Sequence, residues 1–162
     1  KNLPFLVEAF SVAKREDHDL VIVGKPGWDS DVLHQRILQL HVDQRVRVLE
    51  YVDEADLLTL LRMATALLFP SRYEGFGLPV LEAMACGTPA ISSTAASLPE
   101  VGGSAVLYAD PADLDTWRDH ISRIIGDASL RADLRTKGLA RAATFSWART
   151  ARLTLDALHA TV

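Results

Sequence analysis

The chain has 162 residues, of which 49% are hydrophobic and 23% charged, and its formal net charge is -4 at pH 7. These values predict one soluble globular domain with a substantial core and argue against a nucleic-acid binder, which needs a basic surface to offset phosphate repulsion. A single cysteine, no signal-peptide pattern and no apolar run near the ~20 residues that span a bilayer favour a cytoplasmic protein without an internal disulfide or transmembrane segment.

Short apolar runs recur along the first two thirds of the chain, separated by segments with helical spacing. The runs are apolar on both faces, as the strands of a buried parallel sheet require. They lie at residues 20–23, 46–49, 66–69, 90–91 and 105–108. The spacing predicts helices at residues 5–14, 31–40, 55–63 and 79–86, followed only by helices at residues 111–125, 130–143 and 147–159.

Turn and capping residues support several of these boundaries. Pro79 suits the first turn of a helix, and Gly87 lies where that helix would stop. Asp110 and Ser146 each precede a predicted helix, so we expect them to be N-caps.

The alternation of strands and helices predicts an α/β fold: a doubly wound parallel sheet, Rossmann-like, with C-terminal helices and residues 1–162 in a single domain. Since the chain opens inside a predicted helix, we expect an earlier strand outside this sequence. In the common doubly wound order, ligands bind where the earliest strand lies beside the fourth. This order would place Lys1 across one pocket from residues 70–78.

Residues 70–89 carry the most informative pattern in the chain. They leave a predicted strand, pass through Gly75 and Gly77, and enter a helix at Pro79. Glycines let the backbone approach a ligand closely, and a helix N-terminus offers unpaired N–H groups with partial positive charge. The segment therefore predicts a phosphate site, to which Lys1 would add a full positive charge.

Two carboxylates, Glu74 and Glu82, flank this predicted phosphate site. A carboxylate beside a diphosphate would repel it, so we expect each to face a pair of neutral hydroxyls, from which it can accept two hydrogen bonds. A nucleotide sugar carries such pairs on its ribose and on its sugar. The pattern predicts a site for a nucleotide diphosphate sugar, and the alternative is a pair of ordinary surface glutamates.

The segment from Glu74 to Glu82, which reads E-G-F-G-L-P-V-L-E, resembles the E-x7-E motif of glycosyltransferase family 4, whose members are GT-B-fold retaining enzymes. The resemblance covers essentially the whole chain, because weaker family matches follow in order. These matches lie at residues 1–3, 20–24, 70–71, 97–100, 110–111 and 145–147. Glu50 departs from the family, which often has Gly there. The resemblance implies the C-terminal, donor-binding half of such an enzyme.

This resemblance also implies a role for each residue of the predicted site. The implied donor-binding residues are Lys1, Glu74, Gly75, Phe76, Gly77, Leu78 and Glu82. Glu82 would bind the ribose hydroxyls, and Glu74 with the backbone of residues 75–77 would hold the donor sugar. Lys1 and the amides near Leu78 would stabilise the departing diphosphate, so Glu74 and Lys1 are the expected catalytic residues. No cofactor or metal is implied, because the nucleotide sugar is a substrate.

The implied partners lie outside this sequence. The acceptor, a glycan or a lipid-linked sugar, would bind mainly to an N-terminal domain of the same protein. The isolated domain would therefore bind donor but transfer sugar weakly or not at all. The N-terminal domain could also attach the cytoplasmic protein peripherally to the membrane. Residues 24–28 look most like mannosyltransferases that use GDP-mannose, an activity of polysaccharide biosynthesis. The family's other phosphate-binding arginine would precede Lys1.

Two other functions stay open. GT-B-like epimerases and phosphorylases also place a nucleotide or phosphate beside carboxylates in this kind of domain. A non-catalytic Rossmann-like module that mediates assembly is the alternative from a different class.

Several other residues invite a functional interpretation that we weigh against a structural one. Asp29-Ser30-Asp31 resembles a metal-binding D-x-D, but two carboxylates make a poor Mg²⁺ site, and Asp is a good helix cap. Trp28 could line a base pocket, whereas Arg72 is expected to face solvent. Cys86 is expected to pack as a small hydrophobe, and the five histidines show no ligand spacing.

Overall fold

A computed structural model describes residues 1–14, 16–25, 27 and 30–160. It contains five parallel strands in two groups. Strand β1 (Leu20–Val23) pairs with β2 (Val46–Leu49), and β4 (Ala90–Ser93) lies between β3 (Leu67–Phe69) and β5 (Leu107–Ala109). The predicted α/β class with parallel strands is confirmed.

Helices alternate with these strands and then follow one another at the end of the chain. They are α1 (Leu3–Val12), α2 (Ser30–Gln39), α3 (Glu54–Met63), α4 (Leu78–Cys86), α5 (Leu98–Gly102), α6 (Leu114–Gly126), α7 (Ala128–Ala142) and α8 (Trp147–Ala160). A 3-10 turn at Gly103–Ala105 joins α5 to β5. None of these helices is both long and apolar enough to cross a membrane, over the residues that the structure describes.

A single hydrophobic cluster joins the two groups of strands. Leu20 and Ile22 of β1 share it with Ile91 of β4 and with Trp117 of α6. The ring of Phe5, on α1, meets Trp117 edge-on at 6.1 Å between centroids. Since one core spans both groups, α1 and α6 hold β1–β2 and β3–β4–β5 together.

A second cluster fixes α4 against the sheet. Val80 and Met84 of α4 pack with Leu98 and Val101 of α5, and Phe69 at the end of β3 belongs to the same cluster. This packing places the N-terminus of α4 just beyond the carboxyl end of β3.

The structure corrects the prediction that every strand is buried on both faces. Only β4 is buried at every residue, whereas Val21 of β1 and Val48 of β2 are 42% and 46% exposed. Helices α1 and α2 contribute buried residues to the cluster that holds the inner face of β1 and β2. Helix α3, which follows β2, has no fully buried residue, and Val21 lies partly exposed on the other face. Val48 pairs with the buried Ile22, so it belongs to the inner face and is exposed there.

Several predicted boundaries also move. Helix α6 begins at Leu114, and its N-cap is Asp113, which accepts from the amide of Thr116 at 3.1 Å; Asp110 instead accepts from the amide of Ala112 in the preceding turn. The last predicted strand at 105–108 is shifted, because residues 103–105 form the 3-10 turn. Helix α5 is not among the predicted helices, because its five residues are too few to show a helical spacing.

The other predicted caps are confirmed. Helix α4 carries Pro79 in its first turn and ends at Gly87, whose φ of 73° is left-handed. Ser146 caps α8, because its hydroxyl accepts from the amide of Arg149 at 3.2 Å.

Candidate functional site

An ion pair joins two of the predicted site residues across the end of β3. The ammonium Nζ of Lys1 lies 2.5 Å from Oε1 of Glu74, a residue 73 positions away in the chain. The same ammonium lies 5.1 Å from the ring centroid of Phe69, the last residue of β3. The start of α1 and the loop after β3 therefore meet at the carboxyl edge of the strands.

Asn2 fixes the backbone that carries Lys1. Its φ of 63° is left-handed, a conformation that Asn tolerates better than most residues. Its side-chain amide donates to the carbonyl of Pro111 at 2.9 Å, and its own carbonyl accepts from the amide of Leu6 at 3.2 Å. This role of Asn2 is not predicted from the sequence, because its partner Pro111 lies 109 positions away.

Glu74 is held by two donors that share one of its oxygens. Ser71 donates to Oε1 at 2.6 Å, and Lys1 donates to the same atom. The other oxygen, Oε2, contacts no donor among the described residues. The Glu74 side chain is 15% exposed, so this free oxygen is available to accept a hydroxyl from a ligand.

The environment of Glu74 favours its charged form. Partial burial by itself raises the pKa of the carboxyl, but the hydrogen bonds from Lys1 and Ser71 and the charge of Lys1 outweigh burial. The pKa therefore lies below its ordinary value, and Glu74 is ionised at neutral pH.

Two serines beyond the loop determine how it is oriented. The hydroxyl of Ser93, at the end of β4, donates to the carbonyl of Ser71 at 2.5 Å. The hydroxyl of Ser97 lies 3.0 Å from the carbonyl oxygen of Glu74 and 2.9 Å from that of Phe76. Because the C=O and N–H of one peptide unit point in opposite directions, these bonds turn the amides of Gly75 and Gly77 the other way.

The backbone N–H groups of residues 75–78 form the distinctive feature of this loop. None of them donates to an acceptor in the described part of the chain. Leu78 begins α4, so the last of these groups also belongs to a helix N-terminus, where the helix dipole adds partial positive charge. A row of unpaired amides beside an ammonium attracts an anion such as a diphosphate.

Gly77 makes this geometry possible. It is the N-cap of α4 with a φ of 100°, and a Cβ there would lie 2.5 Å from Cδ2 of Leu98. The adjacent Phe76 meets the ring of Phe145 edge-on, with 6.0 Å between the ring centroids. The guanidinium of Arg141 lies 4.8 Å from the ring centroid of Phe145. Residues from the end of α7 onward therefore support the loop.

Glu82 lies on α4, one turn beyond the start of the helix. It is exposed, as is Leu78 four residues earlier, whereas Val80, Ala83 and Met84 are buried. Positions four apart share a helix face, so Glu82 and Leu78 lie on the same solvent-exposed face of α4. The amide of Leu78, at the start of this face, is one of the unpaired amides. No ion pair or hydrogen bond joins it to Lys1 or Glu74 in the described chain.

The remaining candidates fall outside this site or outside the described residues. Trp28 and Asp29 are not among the described residues. Arg72 and Glu50 are exposed, and Cys86 is a half-buried free thiol. Within the described ranges, no three His, Cys, Asp or Glu side chains are grouped so that they could hold a metal ion.

Comparison with known proteins gives consistent matches. The family model described as Glycosyl transferases group 1 matches residues 1–141. The O-antigen chain mannosyltransferase B of Escherichia coli is 41% identical over 160 residues, which are 97% of this chain and 42% of that protein. A D-inositol 3-phosphate glycosyltransferase of Jonesia denitrificans is 33% identical over 90% of this chain and 37% of that protein. The chain thus spans less than half the length of these curated relatives.

Solved structures share the fold. The C-terminal domain of a glycosyl transferase group 1 family protein (LpcC) from Francisella tularensis has a TM-score of 0.78 and 26% identity, over 89% of this chain and 78% of that one. Sucrose-phosphate synthase from Thermosynechococcus elongatus has a TM-score of 0.82 and 28% identity, over 99% of this chain and 42% of that one.

Proposed function

Because the chain belongs to the glycosyl transferases group 1 family, we propose that it is the donor-binding half of a retaining glycosyltransferase and binds a nucleotide diphosphate sugar. The observation that carries this proposal is the Lys1–Glu74 ion pair beside the unpaired amides of residues 75–78. This arrangement combines an anion site with a fixed carboxylate, as a diphosphate linked to a sugar requires.

Each group has a distinct task in the proposed complex. The unpaired amides and the Lys1 ammonium bind the diphosphate and stabilise the negative charge that develops on it as the glycosidic bond breaks. Glu74 keeps Lys1 in place through Oε1 and accepts sugar hydroxyls through Oε2. Glu82, on the solvent side of α4, accepts the ribose hydroxyls. Leaving-group stabilisation is then the main catalytic contribution of this domain.

The proposed donor is a GDP-linked mannose. The sequence similarity of residues 24–28 to mannosyltransferases that use this donor favours it. The O-antigen chain mannosyltransferase B of Escherichia coli is 41% identical over 160 residues, and a serotype-specific mannosyltransferase WbdA of Escherichia coli is 38% identical over 106 residues, 65% of this chain. These relatives support mannosyl transfer in polysaccharide synthesis.

The proposed acceptor site belongs to a further domain, as the greater length of the relatives suggests. Among the described residues, β1 and β3 each have a strand neighbour on one side only. We place a preceding strand of the full protein between them, with Lys1 just beyond its end. Catalysis would occur in the cleft between the two domains, in the cytoplasm.

Isothermal titration of the 162-residue chain with GDP and with UDP tests the proposal. We expect a dissociation constant of millimolar or better for at least one of them, with GDP preferred. Circular dichroism of the same sample establishes that it is folded. A folded sample that binds neither nucleotide would contradict the proposed function.

A product assay on the full-length protein then separates transfer from related chemistry. A transferase requires an acceptor and forms a glycosidic bond to it. An epimerase converts the nucleotide sugar without an acceptor, and a phosphorylase forms a sugar phosphate from inorganic phosphate.

A further inference from the structure

A second concave region lies at the edge of the strands opposite to the candidate site. Its lining includes His18, Thr65 and Pro89, which precede β1, β3 and β4. The Lys1–Glu74 pair, in contrast, lies at the end of β3. Because all paired strands are parallel, residues before and after them lie at opposite edges. The cavity has a volume of about 310 Å³, within the range of sites for small ligands.

Among the described residues, the cavity is lined by three arginines and by no carboxylate. Arg62 lies at the end of α3, and Arg131 and Arg135 lie one turn apart on α7. None of the three forms an ion pair within the described residues. Acidic side chains outnumber basic ones in this chain, 21 to 17. Three guanidinium groups without an ion-pair partner therefore make the cavity positively charged in a chain whose net charge is negative.

Two of these guanidinium groups are held in place by backbone carbonyls. Nη1 of Arg131 donates to the carbonyls of Ile124 and Ile125 at 2.8 and 2.6 Å. Nη1 of Arg135 donates to the carbonyl of Gly87 at 3.2 Å, and its guanidinium carbon lies 3.0 Å from where a Cβ on Gly87 would be. Gly87 therefore leaves room for this group.

The hydrogen bonds within the described part of the chain leave most of the donor capacity of these arginines unused. A guanidinium group has five N–H donors on three nitrogens, and the carbonyl bonds of Arg131 and Arg135 engage only Nη1 of each. Arg62 is exposed and donates to no acceptor in the described chain. Helix capping explains the position of Arg131 and Arg135 but not the third arginine at the same cavity.

We propose that this cavity binds a phosphomonoester group, distinct from the diphosphate of the proposed donor. Arginine binds phosphate oxygens through paired N–H donors. Three positive charges are better matched by a phosphate dianion than by a ligand with a single carboxylate. The hydroxyl of Thr65, which also lines the cavity, can donate to a further phosphate oxygen. The volume leaves room for a small substituent, so the ligand is a sugar-sized phosphomonoester or the phosphate headgroup of a lipid.

The test uses the substitution Arg62→Gln, which removes one charge from an exposed side chain without touching the two carbonyl-bound arginines. Glucose 6-phosphate is titrated into the 162-residue chain by NMR, with glucose as the uncharged reference. Sedimentation with phosphatidylcholine vesicles, with and without phosphatidic acid, tests the lipid source. The matched control is Arg152→Gln, which removes the same charge from the exposed face of α8.

We expect millimolar binding of glucose 6-phosphate, or sedimentation that depends on phosphatidic acid, weakened at least fivefold by Arg62→Gln and unchanged by Arg152→Gln. The substitution Glu82→Gln should leave this binding intact, because Glu82 belongs to the other site. The inference is wrong if neither probe binds, if Arg62→Gln and Arg152→Gln have equal effects, or if Glu82→Gln abolishes the binding.

Discussion

At the scale of single residues, the two oxygens of the Glu74 carboxylate have different roles in the candidate site. Oε1 of Glu74 binds Lys1 and Ser71, and Oε2 contacts no donor from the residues that the structure describes. A surface glutamate with both oxygens in water would have to lose side-chain entropy before it could bind a ligand. Glu74 is already ordered by its contacts, whereas Glu82 is exposed and becomes ordered only on binding in our proposal.

We expect Glu82→Gln to weaken nucleotide binding by about 1–3 kcal/mol, because a neutral amide replaces the charged acceptor of two ribose hydroxyls. Calorimetric titration with GDP measures the difference. Glu54→Gln, an exposed glutamate at the start of α3, is the matched control and should leave the affinity unchanged. An affinity equal to wild type for Glu82→Gln would remove the ribose role.

The pKa of Glu74 predicts how this residue affects stability with pH. Because its folded-state pKa is lowered, its contribution to the free energy of unfolding is present above the unfolded pKa of about 4.3 and is lost as the pH falls through the lower folded value. Wild type should therefore exceed Glu74→Gln in urea midpoint at pH 7, and the gap should narrow by pH 3. A gap that is constant across this range would contradict the assignment.

At the scale of elements, the loop before α4 is where sequence and structure agree best. A helix with Pro79 in its first turn and a stop at Gly87 could be predicted, because Pro and Gly act locally through their own backbone angles. The helix begins at Leu78, one residue before the predicted start. The contacts of Ser93 and Ser97 could not, since they join the loop to residues more than 20 positions away. Apolar runs likewise could not show that β1 is covered on one face only.

We expect Gly77→Ala to lower the free energy of unfolding by about 1–3 kcal/mol. A side chain at a φ of 100° is strained, and its Cβ would displace Leu98. Gly75→Ala is the matched control, because no atom of the described residues lies within 4 Å of a Cβ there and its φ is not in the left-handed range. Urea unfolding compares the two variants, and equal losses would contradict the argument from Gly77.

At the scale of the whole molecule, two groups of strands share one core. Trp117 is fully buried where this core meets α1 and α6, and its indole N–H donates to the carbonyl of Asp110 at 3.0 Å. The connection of Trp117 to both groups of strands depends on tertiary contacts that periodicity does not encode.

We expect Trp117→Phe to lower the free energy of unfolding by about 2 kcal/mol, through a cavity and a lost hydrogen bond, while unfolding stays a single transition. Urea titration followed by far-ultraviolet circular dichroism and by the NMR signals of residues in β1 and in β4 should give coincident curves. Two separate transitions would mean that β1–β2 unfolds independently of the other strands.

The hydroxyl of Ser97 determines the sign of the electric field that the loop backbone presents to a ligand. It holds two peptide planes, those of the 74–75 and 76–77 bonds, from positions 23 and 21 residues away. A flip of either plane would exchange an outward hydrogen for an outward oxygen, and the same backbone would then repel an anion. A small side chain on another segment thus decides whether this stretch of main chain is attractive to phosphate at all.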